Sequence, residues 1–474
     1  MRTFTLFLLS VLLFGTASSQ IAPNTYLVKF TDKENSGYSL DKPEEFLSTK
    51  ALARRQRYNI SLSEQDLPVN NTYVDSLKSI GFEIYAVSKW FNSAVLFTED
   101  SSLVKKLTML DFILPETKTE RKDKKKVKQN KLVDLEIDYK LGDSLAFEYG
   151  LGKNQIMMLN GQYMHNRGYT GKGITIAVLD AGFLKVDELP AFDSLHANNQ
   201  ILGFRDFVAR DGEVYDDDSH GMQVLSTIGG NYPEKLVGTA PKADFWLLRT
   251  EDESSEYIVE EYYWVSGAEF ADSLGVDMIH TSLGYNDFDD GINSHSYDDM
   301  NGDVAPISIG ADIASSKGIL VVTSAGNEGN DPWKYISAPA DADSVLSVGA
   351  VGSKGQLSGF SSRGPSADGR IKPDVMAQGS FAFVQGNHGS ITFSFGTSFS
   401  GPIMAGAVAC LWQAHPTFSP QEIIEVVRKS CHQYEKPDGD FGYGIPNMAY
   451  AHEYLNELKK QEKKYKDKKP TLDK

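Results

Sequence analysis

"SFGTSFSGPIMAG", Ser394–Gly406, places three serines within seven residues and follows them with a proline and a series of small side chains. Gly401, Ala405 and Ala409 recur at helical spacing, which suits a helix packed tightly on a sheet. Ser398 stands apart from the other two serines because it follows Gly396-Thr397 at the expected helix start. Backbone N–H groups are unpaired there, and the helix dipole favours negative charge. Pro402 reads as a first-turn residue, whose N–H has no intrahelical use. Ser398 is therefore the candidate nucleophile, and Ser394 and Ser400 read as structural.

Upstream, "ITIAVLD", "ADFWLLRT", "VDMIHTSLG", "GILVVTSAGN" and "SVLSVGAV" are short apolar runs rich in β-branched residues. Amphipathic stretches such as Ser254–Leu274 and Val304–Lys317 separate several of them. This alternation predicts an α/β fold with a mostly parallel sheet covered by helices on both faces. In such sheets the ligand site lies beyond the carboxyl ends of the strands. Asp180 ends the first run, Asn327 ends "VVTSAGN", and His220 precedes the helix-like "GMQVLSTIGG". A nucleophilic hydroxyl needs a base, a carboxylate to orient that base, and donors for the developing oxyanion. Ser398, His220, Asp180 and Asn327 supply those four roles. A free imidazole titrates at about 6.5, which sets the expected acid limb of activity.

The chain of 474 residues carries a formal charge of −17, unevenly spread. Glu116–Lys131 has eight basic and three acidic residues, as does Lys459–Lys474, so together they carry +10 and the remainder −27. An acidic body excludes a nucleic-acid partner as the leading expectation, since phosphates need basic surface. The lysine-rich runs read as solvated linker and tail. At the N-terminus, Arg2, the apolar "FTLFLLSVLLFG" and Ala17-Ser18-Ser19 form a signal-peptide pattern with cleavage before Gln20. The apolar run is too short to span a membrane, so the expectation is export, extracellular or periplasmic, with no transmembrane segment afterwards. Cys410 and Cys431 are the only cysteines, and a single bridge and two buried thiols both remain open.

"AVLDAG", "DDSHGMQV", "SLGY", "SAGNEG", "FSSRGP", "KPDVMAQG" and "GTSFSGPIMAG" occur in an order that resembles subtilisin-like serine proteases, the subtilase family, over about residues 156–452. The resemblance implies a subtilisin-like three-layer fold. It implies Asp180 as orienting acid, His220 as general base, Ser398 as nucleophile and Asn327 as oxyanion donor. It also implies that Ser282, Leu283 and Gly284 pair with substrate backbone by strand addition, with Ser324, Ala325 and Gly326 as the facing wall of the first specificity pocket. Glu328 falls near the rim of that pocket, which points to basic or polar substrate side chains. Ala181, Met222, Gln223 and Gln378 depart from the family pattern without removing a reactive group. Pro339 falls where family members carry a proline, often cis.

The expected organisation is a signal peptide (1–19), an α+β propeptide (20–115), a basic linker holding the processing site (116–152), a catalytic domain (153–457) and a lysine-rich tail (458–474). The expected function is a secreted serine endopeptidase activated by autocleavage, with its own propeptide as intramolecular inhibitor and polypeptides as substrates. The rival is a catalytically weak or inactive subtilase-fold peptide-binding protein. An esterase would carry a G-x-S-x-G elbow in Ser…Asp…His order, which is missing here. No cofactor is expected for catalysis. The Asp- and Asn-rich stretch Tyr285–Asp303 reads as a solvated loop, with a structural calcium as its alternative.

Overall fold

The structure, a computed structural model, describes residues 18–115, 132–142 and 144–468. Most of the expected signal peptide, the basic run 116–131 and the last six residues lie outside the described residues.

Seven parallel strands form the central sheet in the order Val375–Gln378, Leu346–Val351, Leu320–Ser324, Met278–Thr281, Thr175–Asp180, Asp244–Arg249, Ile201–Asp206. Thr175–Asp180 is buried at every position, as a sheet covered on both faces requires. Helices His220–Ile228 and Thr397–Ala414 cover one face, and Val259–Leu274 and Pro306–Ser316 cover the other. The last two begin later than the sequence pattern suggests: a turn closed by the Ser255 amide on the Asp252 carbonyl precedes the first, and Pro306 opens the second. Asp180, Thr281 and Ser324 all end strands on the same edge of the sheet.

The N-terminal unit is a four-stranded antiparallel sheet, ordered Ser19–Ala22, Thr25–Lys29, Ser93–Phe97, Glu83–Ser88. Its helices are Thr49–Arg57, Asn71–Ile80 and Ser101–Leu107. Side chains alternate across it: Val28, Ala94 and Leu96 face its own core, whereas Leu27, Ala86 and Val95 face helices Val259–Leu274 and Pro306–Ser316. Polar contacts complete this docking. The buried Asp272 carboxylate pairs with Arg54 (2.5 Å) and Arg55 (2.9 Å), and Asp66 pairs with Arg55 (2.8 Å) and Lys317 (3.1 Å). Glu269 accepts from the Ser88 hydroxyl (2.5 Å) and from the Lys89 and Trp90 amides (2.8 and 2.9 Å).

The expected linker departs from a solvated run in its second part. Leu132, Leu135, Ile137 and Tyr139 pack on the catalytic core, Val133 accepts from the Tyr454 hydroxyl (2.7 Å), and Asp134 pairs with Lys429 (2.8 Å). Leu135, Ile137 and Tyr139, at alternate positions, hold this strap down together with Leu132. At the other end, helix Met448–Lys468 runs past the tail boundary expected at residue 458. Cys410 and Cys431 are free buried thiols, not a bridge. The Ala338–Pro339 bond is cis. Among the described residues, no helix is long and apolar enough to cross a membrane.

Candidate active site

Asp180 sits at the carboxyl end of its strand, fully buried, and His220 is the first residue of the helix that starts beside it. Their approach depends on Gly221. A methyl there would strike the Gly182 carbonyl and stand 2.9 Å from the Asp180 Cβ. Without one, the His220 Nδ1 lies 2.7 Å from Asp180 Oδ1. Asp218 fixes the helix start by accepting the His220 amide (2.5 Å), and the Ala181 amide donates to Asp180 Oδ1 (2.9 Å). The second carboxylate oxygen of Asp180 finds no partner among the described residues. Burial disfavours charge on His220, but the charge and hydrogen bond of the Asp180 side chain outweigh it, helped by Glu251 and Asp218, and push the imidazole up to about 9.

Ser398 is the second residue of helix Thr397–Ala414, with its amide among the unpaired N–H groups of the first turn. Its hydroxyl donates to the Ser282 carbonyl at 3.1 Å, so it must turn to meet His220. Asn327 is oriented by Thr397, whose amide (2.8 Å) and hydroxyl (3.0 Å) both donate to Asn327 Oδ1. Two donors on the oxygen settle which end of the amide is which, leaving the Asn327 NH₂ for another acceptor. Pro402 is not in the first turn. It is the sixth helical residue, and its missing N–H leaves the Ser398 carbonyl without its usual partner.

The expected substrate-binding residues converge beside Ser398. The Ser282 hydroxyl donates to the Ser398 carbonyl (2.9 Å), and the Ser324 hydroxyl donates to that of Thr397 (2.8 Å). The Leu283 side chain packs in the core, which leaves its backbone for pairing. Gly284 lies against Ser337, and Ala325 is buried in the same wall. Gly326 adopts φ +107°, and a Cβ there would meet Glu328 Oε2 and the hydroxyls of Ser362 and Ser337. Those two hydroxyls donate to Glu328 Oε2 (2.5 and 3.1 Å), fixing a carboxylate behind the pocket wall. Thr397, Asp218, Ser337 and Ser362 escaped the sequence reading, because serines, threonines and aspartates of this kind are common and only their partners distinguish them.

In Tyr285–Asp303 several acids accept hydrogen bonds from their own loop: Asp290 from Asn293, Asp287 from Ser294 and Asp299 from Ser296. The three carboxylates that converge among the described residues are instead Glu251, Glu256 and Glu260, with oxygens within 4.8 Å of one another. Burial, and then mutual repulsion with neighbouring acids, pushes them up to about 8, 7 and 9.

A model of the Subtilase family matches residues 171–444, which include Asp180, His220, Asn327 and Ser398. The chain belongs to the subtilase family. A second model, the Peptidase S8 propeptide domain of Bacteroidota, matches residues 25–133. Subtilisin E of Bacillus subtilis (strain 168) is 31% identical over 334 residues, covering 69% of this chain and 78% of that protein. The subtilisin of Bacillus pumilus is 30% identical over 300 residues, covering 62% of this chain and 97% of that protein. The crystal structure of MycP1 with its N-terminal propeptide removed is similar at a TM-score of 0.51 and 25% identity, covering 63% of this chain and 96% of that one. This subtilase is thus a serine-type endopeptidase with a subtilisin-like fold, made with an N-terminal propeptide domain.

Proposed function

We propose that this subtilase cleaves polypeptides through an acyl-enzyme formed on Ser398. The observation that carries the reading is the 2.7 Å contact between Asp180 and His220, set at the strand end beside the helix that begins with Thr397-Ser398. Ser398 Oγ attacks the scissile carbonyl carbon as its proton passes to His220, and Asp180 stabilises the imidazolium. The Asn327 NH₂ and the Ser398 amide take the oxyanion. His220 then returns the proton to the leaving amine as the C–N bond breaks. Water, deprotonated by His220, hydrolyses the ester and restores Ser398. Substrate backbone pairs along Ser282–Gly284, and Glu328 behind Gly326 favours basic or polar side chains in the first pocket.

The chain is exported as a precursor, the propeptide inhibits the catalytic domain while docked, and self-cleavage releases the enzyme. The propeptide domain match and its buried contacts with the catalytic domain support this reading, and peptide chemistry needs no metal at these residues. A serine-directed fluorophosphonate should label the matured protein and fail on Ser398→Ala. A matured wild type that resists labelling would sink the proposal. A Ser398→Ala precursor still cut when purified alone would remove self-processing.

A further inference from the structure

His280 interrupts the apolar strand Met278–Thr281, fully buried, on the face covered by helix Thr397–Ala414. Its Nδ1 lies 3.1 Å from the Val322 carbonyl, which can only accept, so Nδ1 carries the proton. Burial holds the imidazole neutral by pushing it down to about 3, which leaves Nε2 an acceptor. Nε2 is 2.8 Å from the Ser282 hydroxyl, and that hydroxyl is 2.9 Å from the Ser398 carbonyl. One proton thus faces two acceptors, a three-centre arrangement. The Ser398 carbonyl is available for it because residue 402 is proline and offers no N–H. The Ser398 hydroxyl donates back to the Ser282 carbonyl at 3.1 Å, a contact it gives up when it turns to His220, so the lasting hold on residue 398 is the one on its carbonyl. Gly401 makes room for the ring, since a Cβ there would stand 3.0 Å from His280 Cε1.

We propose that His280 is a positioning residue for the nucleophile. By fixing the rotamer of the Ser282 hydroxyl, it anchors the Ser398 carbonyl and so the direction in which Ser398 Oγ leaves the backbone. The inference rests on Ser398 as nucleophile, and His280 itself touches neither substrate nor reacting atoms.

The test measures kcat, KM and the second-order rate of fluorophosphonate labelling in matured protein, for Ser282→Ala, His280→Leu, the pair, and His280→Gln. Ser282→Ala and His280→Leu should each lower kcat and labelling roughly tenfold, with KM changed less than about twofold. The pair should be no worse than the weaker single variant, because both act through one hydroxyl. His280→Gln should recover most of the loss, since its side-chain oxygen can accept where Nε2 did. Labelling of His280→Leu at the wild-type rate, or losses that multiply in the pair, overturns the proposal. If His280→Leu does not accumulate folded, Ser282→Ala decides, and a wild-type rate there overturns it. Wild type that fails to label is a separate result, which removes Ser398 as nucleophile.

Discussion

Asp180 Oδ1 and His220 Nδ1 stand 2.7 Å apart, with the carboxylate fully buried and the imidazole partly exposed. The acid raises the base well above its free value, to about 9, so the imidazole is largely protonated at neutral pH. A base acts only when neutral, so kcat/KM of the matured enzyme should rise with pH through about 9. Asp180→Asn should move that midpoint down toward about 6.5 and lower kcat by roughly 10⁴. A wild-type midpoint already near 6.5 would contradict the geometry.

Asn327 owes its orientation to Thr397, which occupies the amide oxygen and frees the NH₂. Removing that donor should cost roughly 10²–10³ in kcat and leave KM nearly unchanged. Steady-state kinetics of Asn327→Ala check this, and a loss confined to KM would reassign the donor.

The propeptide docks through buried charges. Asp272→Asn removes the carboxylate that pairs with Arg54 and leaves Arg55 with Asp66 as its one remaining ion-pair partner. The cost should be about 3–5 kcal/mol in a Ser398→Ala precursor. The matured enzyme, in which helix Val259–Leu274 no longer covers the propeptide, should lose little. Urea unfolding of both forms separates the cases, and equal losses in both would show a role inside the catalytic domain.

Glu269 makes the same docking sensitive to pH. Burial raises its carboxyl from 4.5 to about 7, against the donors Ser88, Lys89 and Trp90. The docked state therefore binds a proton that the undocked state has released, so stability falls as pH rises from 4.5 through about 7. Amide protection at Lys89 and Trp90 in the Ser398→Ala precursor, corrected for intrinsic exchange, should drop between pH 5.5 and 8. Glu269→Gln should flatten that dependence. Protection that climbs with pH in the wild-type sequence would reverse the sign and defeat the account.

The residues of the candidate site were legible because each lies in a local signal. "VLDAG" is an apolar strand meeting a glycine turn, "DDSHGMQV" is an acid-flanked helix start, and "GTSFSGPIMAG" is a glycine turn before a small-residue helix. Chain order and residue type suffice for such features, since they depend on neighbours within a few positions. The same locality explains the misreading of Pro402: its place in the helix depends on where the helix begins, which Thr397 and Asn327 set together from 70 residues apart.

What only the tertiary structure decided are pairings between distant residues. Arg54 and Asp272 are 218 positions apart, Ser282 and Ser398 are 116, and Val133 and Tyr454 are 321. In sequence these are an ordinary arginine, a serine and a valine. By itself the sequence determined a doubly covered parallel sheet and a serine, histidine and aspartate in a family's order. The tertiary structure decided how strongly Asp180 raises His220, which hydroxyl holds the Ser398 carbonyl, and that the propeptide is held by buried ions. The physical reason is that hydrogen bonds and desolvation act over a few ångströms, and only the folded sheet brings such partners within that reach.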